Sequence, residues 1–269
     1  MQTQNNFQFY ATLLDNYQNY IDAAIIYDRY WGFSDNPPCT AEEFIIKQRA
    51  ALIDSINRVP FESEAADKGT AFNEVIDCII ENRKSDKMDI KIERIAEAIS
   101  MIRVDFNSRL FYFDVGLCKQ FAKQFNGAVT QKFVEAILPT SFGDVRLYGY
   151  IDELMPFKVH DIKTTSSYRV GKFKTHWQHL VYPYCLIQSG VDIRDFEYNI
   201  VEMGKRGCQV FTECYTFEPE RDIPRLRERC EELIKFLRDH SQFITNQRIF
   251  GGENPEGYVG SPVDINLLH

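Results

Sequence analysis

A chain of 269 residues, 44% hydrophobic and 26% charged, can bury one sizeable core and has the charge content of an ordinary soluble globular protein. A formal net charge of -8 and a pI near 5.3 do not announce nucleic acid, whose binders are usually basic, and do not exclude it, because local fields at a cleft matter more than totals. The seven cysteines are scattered and never form a Cys-x-x-Cys pair, which excludes a zinc ribbon or a disulfide framework. With no long apolar run and no leader pattern in the first residues, a reduced, cytoplasmic protein with no membrane partner is expected.

Tyr10, Leu13, Leu14, Tyr17, Ile21 and Ala24 recur at helical spacing, so residues 7–31 are expected to form an amphipathic helix. Gly32, Pro37 and Pro38 mark a loop. Thr40-Ala-Glu-Glu43 has capping-box spacing and opens a helix running to about Asn57, before Pro60. A third helix covers 65–83, with Phe72, Val75, Ile76, Ile79 and Ile80 on one face. At about 100° per residue, Glu74 projects away from that face toward solvent, while Asn73 and Asp77 flank it. Two more helices are expected over 89–107 and 112–124. After Asn126-Gly127 the pattern turns β-like. Strands are expected over 129–139, 144–154 and 157–164, then a helix over 172–189. Strands over 196–203 and 208–217 flank the turn Gly204-Lys-Arg-Gly207, and a last helix starts near Pro224. One mixed α/β domain over 1–269 is predicted. In it, 1–125 is a mostly helical elaboration, 126–246 the sheet core and 247–269 an irregular tail.

The chemistry concentrates in the two strands around a turn that carry Asp152, Asp161 and Lys163. Strand side chains alternate, so Asp161 and Lys163 share a face, and a hairpin can bring Asp152 beside them. Two readings stay open. One is a surface hairpin with an ordinary Asp–Lys pair. The other is a site for a hard divalent cation such as magnesium, with manganese as a substitute, using both carboxylates and the Ile162 carbonyl. In the second reading Lys163 orients the attacking water or steadies transition-state charge. Between Leu154 and Val191 the single acid is Asp161, against Lys158, Lys163, Arg169, Lys172 and Lys174; this is either a solvated face or a locally basic segment beside the site.

Gly149-Tyr-Ile-Asp152, Asp161-Ile-Lys163-Thr-Thr and Gln178-His-Leu-Val-Tyr182, in that order and spacing, resemble the PD-(D/E)XK nuclease superfamily, most closely its RecB-like and phage-exonuclease branch. Lys68-Gly-Thr-Ala-Phe-Asn73 resembles the branch's Arg-Gly-Thr-Ala-x-His helix. The resemblance implies a restriction-endonuclease-like α/β core, with a mixed central sheet of about five strands flanked by helices. It implies a magnesium-dependent DNA nuclease, an exonuclease of phage or recombination type. Asp152 and Asp161 become metal ligands with the Ile162 carbonyl, Lys163 the catalytic lysine, and Gln178 and Tyr182 substrate-positioning residues one helical turn apart. Arg169, Lys172 and Lys174 would hold the DNA backbone. Ring-forming relatives suggest a homo-oligomer, and the branch suggests a recombination partner protein. Asn73 stands where relatives carry histidine or glutamate, so a further ligand is expected from Asn73 or Asp77. Glu135 matches a position that is often acidic in the branch, and is equally a surface glutamate. His160 is expected to pack on the opposite face of its strand. Cys208, Cys214 and Cys230 lack the spacing of the iron–sulfur relatives, so no cluster is expected. The alternative is a catalytically degenerate module that binds DNA or a protein partner without cutting. A weaker one is a structural relative acting through its aromatic N-terminal helix.

Overall fold

The computed structural model describes residues 7–96, 99–204 and 207–251. Strand β1 (Phe7–Tyr10) runs directly into helix α1 (Ala11–Ile21), and α2 (Ala23–Trp31) follows. The helix expected over 7–31 is therefore a strand and two helices. Phe7, Phe9 and Tyr10 are buried because the strand pairs in parallel with Val145–Tyr148. Helix α3 (Ala41–Ile56) starts at the expected capping box: Glu43 N–H donates to Thr40 Oγ1 at 3.2 Å, and Thr40 N–H donates to the Glu43 carboxylate at 3.0 Å. Helix α4 (Glu64–Ile80) is capped by Ser63 and buries Phe72, Val75 and Ile76. Each such side chain, fully removed from water, contributes about 1.5–3 kcal/mol before chain entropy is counted.

Residues 89–96 and 99–106 are not helical. They belong to a three-stranded antiparallel sheet of β2 (Asp89–Ala96), β3 (Ile99–Phe106) and β4 (Arg109–Asp114). Ile102, Val104 and Phe106, then Phe111 and Phe113, are buried at a period of two. Asn107 and Ser108 adopt φ of 50° and 59°, as a two-residue type I′ hairpin turn requires. Helix α5 (Val115–Gln124) is the part of this region that is helical as expected.

The remaining elements are β5 (Val129–Thr140), β6 (Gly143–Leu154), β7 (Lys158–Thr165), α6 (Gln178–Gln188), β8 (Asp195–Gly204), β9 (Gly207–Thr216) and α7 (Pro219–Asp239). Residues 172–177 are turns rather than the start of α6, and α7 begins at Pro219 rather than near Pro224. Lys205 and Arg206 of the predicted turn, and 252–269 of the predicted tail, lie outside the described residues.

The main sheet is mixed and six-stranded, in the order β1-β6-β7-β8-β9 with β5 on the other edge of β6. It exceeds the expected five by β1. Its one face packs on α1, α6 and α7. The other face presents Ile162 and Val201 to α4, α5 and the small sheet, where Phe72 meets Phe113 and Phe121 edge-on. The domain is thus α/β, with helices on both sides of a mixed sheet. Among the described residues no helix is long and apolar enough to cross a membrane.

Candidate active site

The site grows from a fork in the sheet. β6 pairs with β1 as far as Tyr148 and with β7 only at Glu153 and Leu154. Gly149–Asp152 therefore have no paired strand on that edge among the described residues. Backbone groups left in such a gap need other partners. The Asp152 carboxylate supplies one: its Oδ2 accepts the Ile162 N–H at 2.8 Å, and Asn73 Nδ2 at 3.2 Å.

Strand alternation places Asp161 and Lys163 together on β7. Lys163 Nζ stands 2.9 Å from Asp161 Oδ2, an ion pair. Gln178 Nε2 donates to Asp161 Oδ1 at 2.6 Å and lies 3.4 Å from the Tyr182 hydroxyl. Gln178 and Tyr182 thus share one face of α6, as their i, i+4 spacing requires. The Tyr182 ring packs over the backbone of Gly149, where a Cβ would come within 2.6 Å of its Cε1.

Helix α4 brings Asn73 and Asp77. Gln131 Nε2 donates to Asp77 Oδ2 at 3.1 Å. Glu153, fully buried, feels the Asp77 charge, and neither of its carboxylate oxygens has a donor among the described residues. Burial pushes Asp77 up to about 7, and burial with the Asp77 and Asp152 charges pushes Glu153 up to about 10. Glu74 does not face solvent as projected. The segment after α4 folds back over it, and Arg83 Nη1 reaches its carboxylate at 2.6 Å. Burial acts to raise Glu74, but the hydrogen bonds led by Arg83 hold it below the ordinary value.

Asn73, Glu74, Asp77, Gln131, Asp152, Asp161 and Lys163 line one cleft of about 590 Å³, to which α1, α4 and the β3–β4 turn contribute walls. Among the lining residues, Asp15 had no mark in the sequence reading. Asp15 of α1 accepts the Trp177 N–H at 2.6 Å and lies 3.2 Å from His176 Nδ1. Asp15 sits inside the buried stripe Leu13-Leu14-Tyr17, and a carboxylate on such a face is a signal that could have found it. Glu153 and Gln131 were also missed. Gln131 has a left-handed backbone, φ 47°, in mid-strand, and no sequence pattern announces that.

Other expected residues lie elsewhere. Arg169, Lys172 and Lys174 are exposed on the turns after β7 and do not line the cleft; Lys172 Nζ donates to Thr165 Oγ1 and to the Ser167 carbonyl. Glu135 of the edge strand β5 pairs with Arg146 of the neighbouring β6. His160 packs on Phe125 beside Glu197 and Asn199, with burial lowering its basicity.

The cleft is acidic: Asp15, Glu74, Asp77, Asp152 and Asp161 line it against Lys87 and Lys163. Burial pushes Asp152 and Asp161 above the usual carboxylate range; the Asp161 charge adds to this at Asp152, and Lys163 opposes it at both. Burial acts to lower Lys163, yet Asp161 and Asp152 outweigh it and hold the ammonium above its ordinary value. Buried Asn73 Oδ1, Asp77 Oδ1 and Gln178 Oε1 have no donor among the described residues. Oxygen acceptors without donors around two strained carboxylates are what a hard cation satisfies. Among the described residues no three His, Cys, Asp or Glu side chains form a preformed metal cage. The donor set instead fits magnesium, which keeps several waters and needs only one or two carboxylates.

The chain matches no protein-family model and no curated protein. A solved structure described as the crystal structure of SSO0001 aligns with 87% of this chain and 78% of its own, at 11% identity and a TM-score of 0.38, a likeness too slight to carry argument.

Proposed function

We propose that the protein is a divalent-cation-dependent DNA nuclease that hydrolyses phosphodiester bonds in DNA processing, with exonuclease action as the expected mode. The observation that carries this reading is the meeting of Asp152, Asp161 and Lys163 at the fork, on a site with buried oxygens lacking donors. Asp152, Asp161 and the Ile162 carbonyl would hold magnesium, with Asn73 or Asp77 as the further oxygen. When bound, the metal supplies Lewis-acid activation of water and offsets phosphoryl charge. Asp161 and Asp152 keep Lys163 protonated, so it acts as a fixed cation at the phosphoryl oxygens and not as a base. Gln178 holds Asp161 in place, and Tyr182 backs Gln178. An acidic cleft repels a phosphate chain unless cations neutralise it, which ties DNA entry to the metal.

The test is cleavage of linear and covalently closed circular DNA with magnesium. Loss of cleavage on EDTA addition, and in Asp161→Asn and Lys163→Ala, is expected, with the linear form alone digested. Undiminished cleavage in those variants would refute the assignment. Asn73 donating to Asp152, where relatives carry a ligand, favours the second reading, a module that binds without cutting. Folded wild-type protein that neither cleaves DNA nor binds magnesium by calorimetry would establish it.

A further inference from the structure

We propose that the free edge of β9 pairs with β9 of a second copy of this chain, antiparallel and centred on Phe211, making a two-fold dimer. The inference is independent of the catalytic reading, because no residue of β9 lines the cleft.

The first observation is an edge left open. β9 ends the sheet, and no strand pairs with its outer side among the described residues. Phe217 N–H donates to the Arg194 carbonyl at 2.9 Å, one step beyond the pair Asp195 and Thr216. Bonding alternates along an antiparallel pair, so the odd-numbered residues of β9 bond to β8. Cys208, Val210, Thr212, Cys214 and Thr216 therefore direct their N–H and C=O groups outward. Such an edge is a template for another strand unless it is blunted. The sheet's other margins are blunted. β1 is four residues long. β5 carries Lys132, Glu135 and Pro139, and its Ile137 and Pro139 carbonyls accept from the Tyr184 hydroxyl at 2.8 Å and from Arg227 Nε at 3.0 Å. β9 has ten residues in unbroken register, without proline, lysine or arginine. Its single charge, Glu213, is already held by the Tyr168 hydroxyl, the Gly171 N–H and the Tyr215 hydroxyl.

The second observation is self-complementarity, which points to a second copy as the occupant. About a two-fold axis at Phe211, each Phe211 faces the other, each Val210 a Thr212, each Gln209 a Glu213 and each Gly207 a Tyr215. Aromatic pairs and an aromatic ring over glycine are favourable across strands, and glutamine offers an amide donor to the one acid. Centring on Thr212 instead would set each Phe211 against Glu213, and centring on Val210 would shorten the overlap. Beside Phe211 lies a groove of about 370 Å³ bordered by Tyr168, Val170 and Tyr215, with Val170 87% exposed. The Tyr168 ring centre is 4.6 Å from that of Phe211, so the second Phe211 would extend an aromatic stack already begun. Isologous pairing of this kind closes at two copies, whereas a ring needs a head-to-tail contact.

The same register opposes Cys208 to Cys214 between copies, and both are exposed. Outward-bonded pairs have Cα atoms about 5.5 Å apart, within disulfide range. Within one copy the intervening strand holds these two cysteines about 20 Å apart, so a Cys208–Cys214 disulfide forms only between copies.

Sedimentation equilibrium of the full chain should give twice the 31.5 kDa of one copy. Val210→Lys puts a charge on the edge, and Thr212→Pro removes an N–H that β8 does not use; each should halve the mass. Circular dichroism checks that both fold. Copper phenanthroline removes two electrons and two protons for each disulfide formed. It should give the wild type a covalent dimer whose peptides join Cys208 to Cys214, and Cys214→Ser should lose that link. Where a variant fails to fold, the wild-type mass and disulfide decide. A wild type of 31.5 kDa at every concentration, three or more copies per particle, a dimeric Val210→Lys, or an oxidised dimer without the Cys208–Cys214 link would overturn the proposal.

Discussion

Gly149→Ala is the sharpest probe of how the sheet supports the site. The new methyl would lie 2.6 Å from Tyr182 Cε1, closer than carbon atoms approach, and 3.3 Å from its hydroxyl. Gly149 is not among the glycines with positive φ, so alanine suits its backbone and the clash is the whole penalty. The Tyr182 ring, 3% exposed and against Phe196, has little room to retreat. Overpacking of this kind costs about 1–3 kcal/mol. In a Tyr182→Ala background the obstacle is gone, and Gly149→Ala should then be neutral or stabilising by up to about 1 kcal/mol. Chemical denaturation of wild type, both single variants and the double variant gives the coupling, expected near 1–3 kcal/mol. A neutral Gly149→Ala, or the same cost in both backgrounds, would refute the packing argument. A ring pushed off Gly149 also disturbs Gln178, so magnesium affinity should fall in the single variant and not only stability.

Three further outcomes are expected. Without divalent cation the protein should be less stable at pH 8 than at pH 5. The folded state of Asp77 and Glu153 keeps protons that the unfolded chain releases above about pH 4, so stability falls as pH rises through their raised values of about 7 and about 10. Denaturation at the two pH values checks this, and Glu153→Gln should flatten the dependence. Asp15→Ala removes the acceptor of the buried Trp177 N–H and should cost about 1–3 kcal/mol by thermal unfolding, whereas Asp15→Asn, which keeps an acceptor oxygen, should cost less. Gln131→Gly relieves a left-handed residue worth roughly 1–2 kcal/mol but loses the bond to Asp77, so its net effect on stability should be small while magnesium affinity drops.

The strands of the candidate site were legible because their code is local. Alternation on β7 fixes the shared face of Asp161 and Lys163, and i, i+4 spacing fixes that of Gln178 and Tyr182. The capping box of α3 was legible for the same reason. What escaped depends on partners distant in sequence. Phe7–Tyr10 is aromatic enough for either state, and pairing with Val145–Tyr148, far along the chain, decides for strand. Glu74 projects outward on an isolated helix and is buried only because Arg83 returns over it. The alternation of Ile102, Val104 and Phe106 before Asn107-Ser108 was a hairpin signal available in the sequence, and the helical expectation there overlooked it. Asp15, Gln131 and Glu153 reach the site from separate elements, and no motif links them.

The fork between β6 and β7 leaves the amide of Ile162 bonded to a side chain rather than to a neighbouring strand. Its proton is thus a native spectroscopic reporter. In a nitrogen–proton NMR spectrum its shift and its exchange with solvent would follow whatever the Asp152 carboxylate holds, be it a proton, a cation or neither, with no label added at the site.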